Sequence, residues 1–165
     1  MSCLTGTSLA APSAALLASE ELAVVQAMAA ILNREAERPY DFLYFESDFT
    51  ASKHVASSMA NPDRTQFCGL TRTEGQALVL QLRQANSDPI EFDKDVAREA
   101  GLKLGHKKLE RFRYLMLSRV VFDPARRHAW IAVDLNGATG AVMRLDKVGG
   151  DWSKASRCAG WVRAS

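Results

Sequence analysis

The sequence predicts an α+β domain, with amino-terminal helices packed on a carboxy-terminal four-stranded antiparallel meander. Three observations carry that expectation. Leu22, Val25, Met28, Ala29 and Leu32 recur at helical spacing, so one helix face should be buried. A second helical stretch lies near residues 75–85. From Arg111 onward the pattern changes to short apolar runs separated by turn residues. The chain has 165 residues, 47% hydrophobic and 24% charged, which is enough for one well-buried core. We therefore expect a flexible leader over 1–18 and one domain over 19–165, helical over 19–102 and sheet over 111–163.

Ser19 is placed to cap the first helix, with Glu20 and Glu21 in a first turn that favours carboxylates. Pro39 should end it. The aromatic-rich segment Tyr40 to Glu46 reads as a strand or buried extended piece. Residues 47–70 lack periodicity, and Asn61-Pro62-Asp63 marks a loop. Thr73-Glu74-Gly75-Gln76 fits a capping box opening a helix to about Ala85, before an Asn86-Ser87-Asp88-Pro89 turn. Asp93 can cap a short helix ending near Gly101.

The four strands are expected over 113–123, 128–135, 141–148 and 152–163. Pro124 to Arg127, Asn136 to Gly140 and Gly149-Gly150-Asp151 form the turns between them. If Asp123 pairs with His128, then Ser118, Val120 and Phe122 share an apolar core face with Ala129, Ile131, Val133 and Leu135. The opposite face carries Leu115, Leu117, Arg119 and Val121 with His128, Trp130, Ala132 and Asp134. Arg119 then lies diagonal to Asp134 and reads first as a structural charge paired with it. The alternative places Arg119 in the wall of a ligand site.

Charge is uneven along the chain. Residues 1–102 hold 8 Lys/Arg and 14 Asp/Glu, whereas residues 103–165 hold 13 and 5, giving −6 and +8. Mutual neutralisation of packed halves is the simpler explanation, an acidic partner for the basic half the other. Cys3, Cys68 and Cys158 show neither zinc-knuckle nor redox spacing. Cys68 and Cys158 would suit a disulfide in an exported protein, or two buried thiols in the cytosol. No apolar run is long enough to span a bilayer. The first 19 residues carry no charge, so the start is not an intact signal peptide but fits the beginning of a processed exported chain. Cys3 would then sit near a lipid-acceptor position; a plain disordered leader is the simpler reading.

Two resemblances bear on function. Gly6-Thr7-Ser8-Leu9-Ala10-Ala11-Pro12 resembles the nucleophile segment of subtilisin-like proteases. Such a serine needs a histidine and a carboxylate that precede it in the chain, and none precedes Ser8. The likeness is therefore read as coincidence. The second covers more of the chain. Leu117-Ser118-Arg119-Val120-Val121-Phe122-Asp123, then Ala129, Gly140, Leu145, Lys147, Gly150, Trp152 and Trp161, resemble the carboxy-terminal half of an uncharacterised, often exported family of bacterial proteins. Val121 replaces a usual glycine and Arg163 a usual serine. The likeness implies an architecture and an envelope location, not a chemistry. At fold level the order of elements suits a cone of the nuclear-transport-factor-2 or cystatin kind.

No catalytic constellation stands out. His54, His106 and His128 lack metal spacing, and Asp41, Glu46 and Asp48 read as the polar edge of a strand. Gly137 and Gly140 lie between strands, not before a phosphate-binding helix. Trp130, Trp152 and Trp161 interleave with Arg126, Arg127, Arg144, Arg157 and Arg163. We rank the roles of that set as core plugs, then protein interface, then base stacking. The expectation is a non-enzymatic envelope protein, periplasmic or lipid-anchored, that binds another protein. Its most specific form is an inhibitor or immunity protein against a toxin or effector, with no cofactor. The competing class is a small-ligand binder or enzyme with Arg119, Asp134 and Tyr44 between sheet and helices. Nucleic-acid binding through the basic half is third. Arg119, Asp134, Trp130, Arg126, Arg127 and Tyr44 are the candidate binding residues.

Overall fold

The computed structural model describes residues 14–38, 40, 42–45, 69–87, 95, 98, 114–135 and 139–162. In chain order these form α1 (Ala14–Glu35), β1 (Phe42–Phe45), α2 (Arg72–Ser87), β2 (Tyr114–Leu117), β3 (Val121–Phe122), β4 (His128–Leu135), β5 (Thr139–Val148) and β6 (Asp151–Val162). The fold is α+β, with a curled, largely antiparallel sheet forming a half-barrel.

In α1 the residues at helical spacing turn inward: Leu22, Val24, Val25, Met28 and Ala29 are all buried. The helix reaches back to Ala14, which corrects the expected start at Ser19. Ser19 therefore lies inside the helix rather than capping it, and Glu20 and Glu21 fall beyond its first turn. Of the expected leader, residues 14–18 are helical and the rest lies outside the described residues. Near the other end, the Asn33 side-chain oxygen accepts the backbone N–H of Tyr40 at 2.8 Å, fixing the chain's exit toward β1. Pro39 lies outside the described residues.

The capping box of α2 also lies earlier than expected. Thr71, not Thr73, is the cap: Glu74 N–H donates to Thr71 Oγ1 at 3.3 Å, and Glu74 Oε2 accepts Thr71 N–H at 2.7 Å. Thr71-Arg72-Thr73-Glu74 satisfies the same pattern as Thr73 to Gln76, but with a carboxylate, the stronger acceptor, in third position. From that start Leu78, Val79 and Leu82 form one buried stripe. Of the expected helix near Asp93, only Asp95 and Arg98 are described, both helical.

The sheet runs β1-β2-β4-β5-β6, with β3 also paired to β4. The expected antiparallel order is present over 114–162, with its first strand divided into β2 and β3, and β1 joins it parallel to β2, Tyr44 opposite Met116. Both faces are covered. Against α1 lie Leu115, Leu117, Val120, Ala129, Ile131, Val133, Met143, Leu145 and Trp152. Against α2 lie Met116, Val121, Trp130, Ala132 and Val142. Leu115 and Leu117 thus join the face of Ile131 and Val133, opposite to their expected placement.

A one-residue bulge causes that correction. Leu117 pairs with Val133 and Val121 with Trp130, so residues 118–120 oppose only 131 and 132. The extra residue inverts the alternation between β2 and β3. The Ser118 side chain stitches the gap: its Oγ accepts Ala132 N–H at 2.8 Å and donates to the Arg119 carbonyl at 2.8 Å. The Ser118 N–H donates to the Ala132 carbonyl at 2.9 Å. Asp123 and His128 pair as expected, the former's N–H donating to the latter's carbonyl at 3.0 Å. Asp123 Oδ1 also accepts the N–H groups of Arg127 and His128, each at 2.7 Å, closing the turn. At the β5–β6 turn Gly149 and Gly150 have φ of 61° and 99°, the two positive values a tight twisted hairpin demands.

Replacing Ser118 by Ala strands the buried N–H of Ala132. We expect a loss of about 1–3 kcal/mol, read as a lowered urea midpoint at unchanged slope. An unaltered midpoint would show that the hydroxyl does not hold the bulge.

Candidate functional site

Two polar clusters are built onto the sheet, one on each face. The first joins α1 to the strand ends. Arg119 leaves the β2–β3 bulge and donates to Glu21 Oε1 from Nε at 3.4 Å and Nη2 at 3.1 Å. One position earlier, Glu20 Oε2 takes the Arg126 guanidinium and Oε1 takes Lys147 Nζ at 3.2 Å. Both cations also lie over aromatic rings: Arg126 is 5.0 Å from the Phe122 centroid and Lys147 5.3 Å from that of Trp152. Those two rings meet at 5.8 Å. Glu20 therefore bridges two cations whose undersides rest on a packed aromatic pair, an arrangement that docks α1 as a unit.

Arg126 can sit there because its backbone adopts the left-handed conformation, φ 52°, in the turn fixed by Asp123. Glu21 is deeply buried, with a side chain only 6% exposed. Burial pushes its carboxyl above the usual range, and the charge and hydrogen bonds of Arg119 pull back only in part. The cluster thus uses its carboxylates to hold the helix rather than presenting them for acid–base work.

The second cluster lies on the α2 face, at the β4–β5 ladder. His128 and Asp146 are register partners, as are Trp130 and Arg144. Asp146 Oδ1 receives Arg144 Nε at 2.7 Å and lies 2.8 Å from His128 Nδ1. Burial raises the Asp146 pKa, but hydrogen bonds from Arg144 and His128, with their charges, outweigh it and leave a net lowering. An ionised Asp146 can only accept, so His128 Nδ1 carries the shared proton. The imidazole also lies against Trp130, ring centroids 6.2 Å apart. A histidine oriented by a carboxylate is two-thirds of a nucleophile-activating triad. Among the described residues no hydroxyl or thiol is hydrogen-bonded to His128 to complete one.

The expected binding residues are dispersed. Arg119 and Arg126 come together on the α1 face, each engaged by a glutamate. Trp130 is buried on the α2 face, its Nε1 without a hydrogen-bond partner among the described residues. Asp134 is also buried, and strand alternation puts it on the Trp130 side. The expected Arg119–Asp134 pair is thus replaced by Arg119–Glu21. Asp134 has an interaction of its own. Arg127 is exposed in the turn, and Tyr44 holds the middle of β1.

Sequence placed Glu20 and Glu21 only as helix-start carboxylates, and it did not foresee the contacts they make or the His128–Asp146–Arg144 group. Matching two-residue spacings, 128/130 and 144/146, were the only signal for the latter. Among the described residues no group of His, Cys, Asp or Glu could hold a metal ion. No described helix is long and apolar enough to cross a membrane. Comparison with known protein families, curated proteins and solved structures finds no match to this chain.

Arg119→Met leaves Glu21 buried without its cation and should cost about 3–5 kcal/mol at pH 7. Glu21 has a raised folded pKa, so its contribution is fully present below 4.5 and lost as pH rises through the folded value. The variant's deficit should therefore shrink toward pH 4, checked by denaturation at both values. Asp146 runs the other way. Its lowered pKa adds stability above 3.8 that is lost as pH falls through the folded value. The deficit of Asp146→Asn should be largest near neutrality and fade in acid; a pH-independent deficit would refute the assignment.

Proposed function

We propose that this is a non-enzymatic binding protein of the bacterial envelope that acts by contact with another protein, in the manner of an inhibitor or immunity protein against a toxin or effector. One observation carries the reading: the residues that would line a small-molecule site are used inside the fold. Arg119 is held by Glu21, Trp130 is buried, and the two sheet faces are filled by α1 and α2. A ligand site between sheet and helices would need those groups exposed in a cavity.

What the fold offers outward is extended surface. β6 ends the strand order, and no described strand pairs with its outer edge. It is 12 residues long and presents Asp151, Ser153, Ser156 and Arg157 as exposed side chains. An edge of that length supplies main-chain hydrogen bonds for a partner segment, and alternate side chains supply selectivity. The likeness of the carboxy-terminal strands to an often exported bacterial family supports the envelope location.

Tagged protein should capture a stoichiometric partner from an envelope extract of its source organism. Purified, that partner should lose its own activity when this protein is added. The double variant Ser156→Glu/Arg157→Glu should weaken capture by about tenfold or more at unchanged thermal midpoint. Absence of any stoichiometric partner would overturn the proposal.

A further inference from the structure

We propose that Arg126 and Lys147 form a carboxylate-binding site of the sheet, and that Glu20 of α1 occupies it in place of a carboxylate carried by another polypeptide. The sheet builds the site without the helix. Asp123 Oδ1 accepts the N–H groups of Arg127 and His128, and Arg126 N–H donates to the Asp123 carbonyl at 2.9 Å. The turn that carries Arg126 is thus closed from within. Lys147 N–H donates to the Arg127 carbonyl at 2.9 Å, tying β5 to that turn. Both charged side chains then rest on rings of the sheet, Arg126 on Phe122 and Lys147 on Trp152, and the two rings pack together. None of these contacts involves Glu20. Without its carboxylate, two positioned cations would remain over an apolar floor.

Backbone strain marks the same place. Arg126 has a φ of 52°, a conformation that is costly for an L side chain and free for glycine. The helix has other anchors, since Arg119 holds Glu21 and Val24, Val25 and Met28 are buried. A cation kept in this strained position therefore serves more than docking. What it adds is a second cation for one carboxylate: Glu20 Oε2 meets Arg126 and Oε1 meets Lys147. One cation per oxygen is how charge-assisted hydrogen bonds hold an incoming carboxylate. The site is reachable from solvent. The Arg126 and Lys147 side chains are 34% and 32% exposed, against 19% for Glu20. Their chain neighbours Ala125, Arg127 and Val148 are exposed. An outside carboxylate has only Glu20 to displace, and its apparent affinity is lowered by the fraction of time Glu20 is in place. The inference does not depend on the partner proposed above, since its test uses synthetic peptides.

The full-length protein is titrated, at constant ionic strength, with short peptides and followed by amide chemical shifts. One peptide carries a single glutamate and an amidated end, a second only a free terminal carboxylate, and a third no carboxylate. Glu20→Gln should bind at least one of the first two about tenfold more tightly than the wild type does, with shifts centred on Arg126, Arg127 and Lys147. Which of the two gains tells a side-chain from a terminal carboxylate. The third peptide should not bind, and Glu20→Gln/Arg126→Gly, which relieves the strained backbone, should lose the gain. A latch that only docked the helix would leave Glu20→Gln binding no better than the wild type, and that result would overturn the proposal. Saturation of the wild type decides the matter even if a variant fails to fold: shifts at Arg126 and Lys147 must be accompanied by shifts at Glu20, and a Glu20 amide left unmoved would refute its displacement.

Discussion

One extra residue between Leu117 and Val121 sets the phase of the sheet against both helices. Without it, β2 and β3 would form one continuous strand, and Leu115 and Leu117 would share a face with Val121. With it, Leu115 and Leu117 fall on the same side as Val120 and Phe122, facing Val24, Val25 and Met28 of α1. Met116 and Val121 are left for Leu78, Val79 and Leu82 of α2. A register slip here would turn apolar side chains to the wrong layer on two strands at once. The Ser118 hydroxyl makes the irregularity tolerable, because it replaces a missing ladder bond in a place water does not reach.

The same bulge aims Arg119 toward α1, which gives the charge asymmetry a physical use. The acidic first half contributes Glu20 and Glu21; the basic second half contributes Arg119, Arg126 and Lys147. These contacts join residues 98 to 127 positions apart. They lie where the helix crosses the strand ends, so they orient α1 after hydrophobic burial has fixed its distance. Burying Glu21 beside one arginine is costly, and its net stabilisation over an apolar pair is small. Its physical advantage is specificity, since a rotated or shifted helix would leave that carboxylate unpaired. Three cations that sequence offered to nucleic acid are engaged in this way, which weakens that reading.

Much of the sheet was legible in the sequence because turns are local. Gly149-Gly150 and the Asp123 turn fix their hairpins through residues only a few positions apart, and alternation between them then assigns faces. The bulge was not legible. Three consecutive positions, Ser118, Arg119 and Val120, fit a regular strand as well as an irregular one, and only pairing against β4 distinguishes them. The α2 cap was a choice between two overlapping motifs, decided by a carboxylate at the third position. Arg119 was recognised as a structural charge, but its partner was sought on the neighbouring strand. Which carboxylate meets it depends on helix docking, and no spacing within the sheet encodes that. The His128–Asp146–Arg144 group depends in turn on the β4–β5 register, 18 positions apart at its closing contact.

On the proposed reading, the outer strand is where a sheet filled on both faces would meet a partner. A long, straight edge with open main-chain groups would pair with any extended chain. β6 departs from that in two places, with register shifts at Val142/Met143 and Asp146/Lys147. Each shift bends the strand and increases its twist, so only a segment of matching curvature can follow the whole edge. Exposed Asp151 and Arg157 add charges that a segment docked there would have to answer at fixed separation. Inward, one bulge packs Cys158 toward α2; outward, both interrupt the regular edge that an arbitrary extended chain could follow. Recognition along such an edge, as proposed, suits a protein partner, because it reads backbone shape and charge over many residues rather than the functional groups of one small molecule.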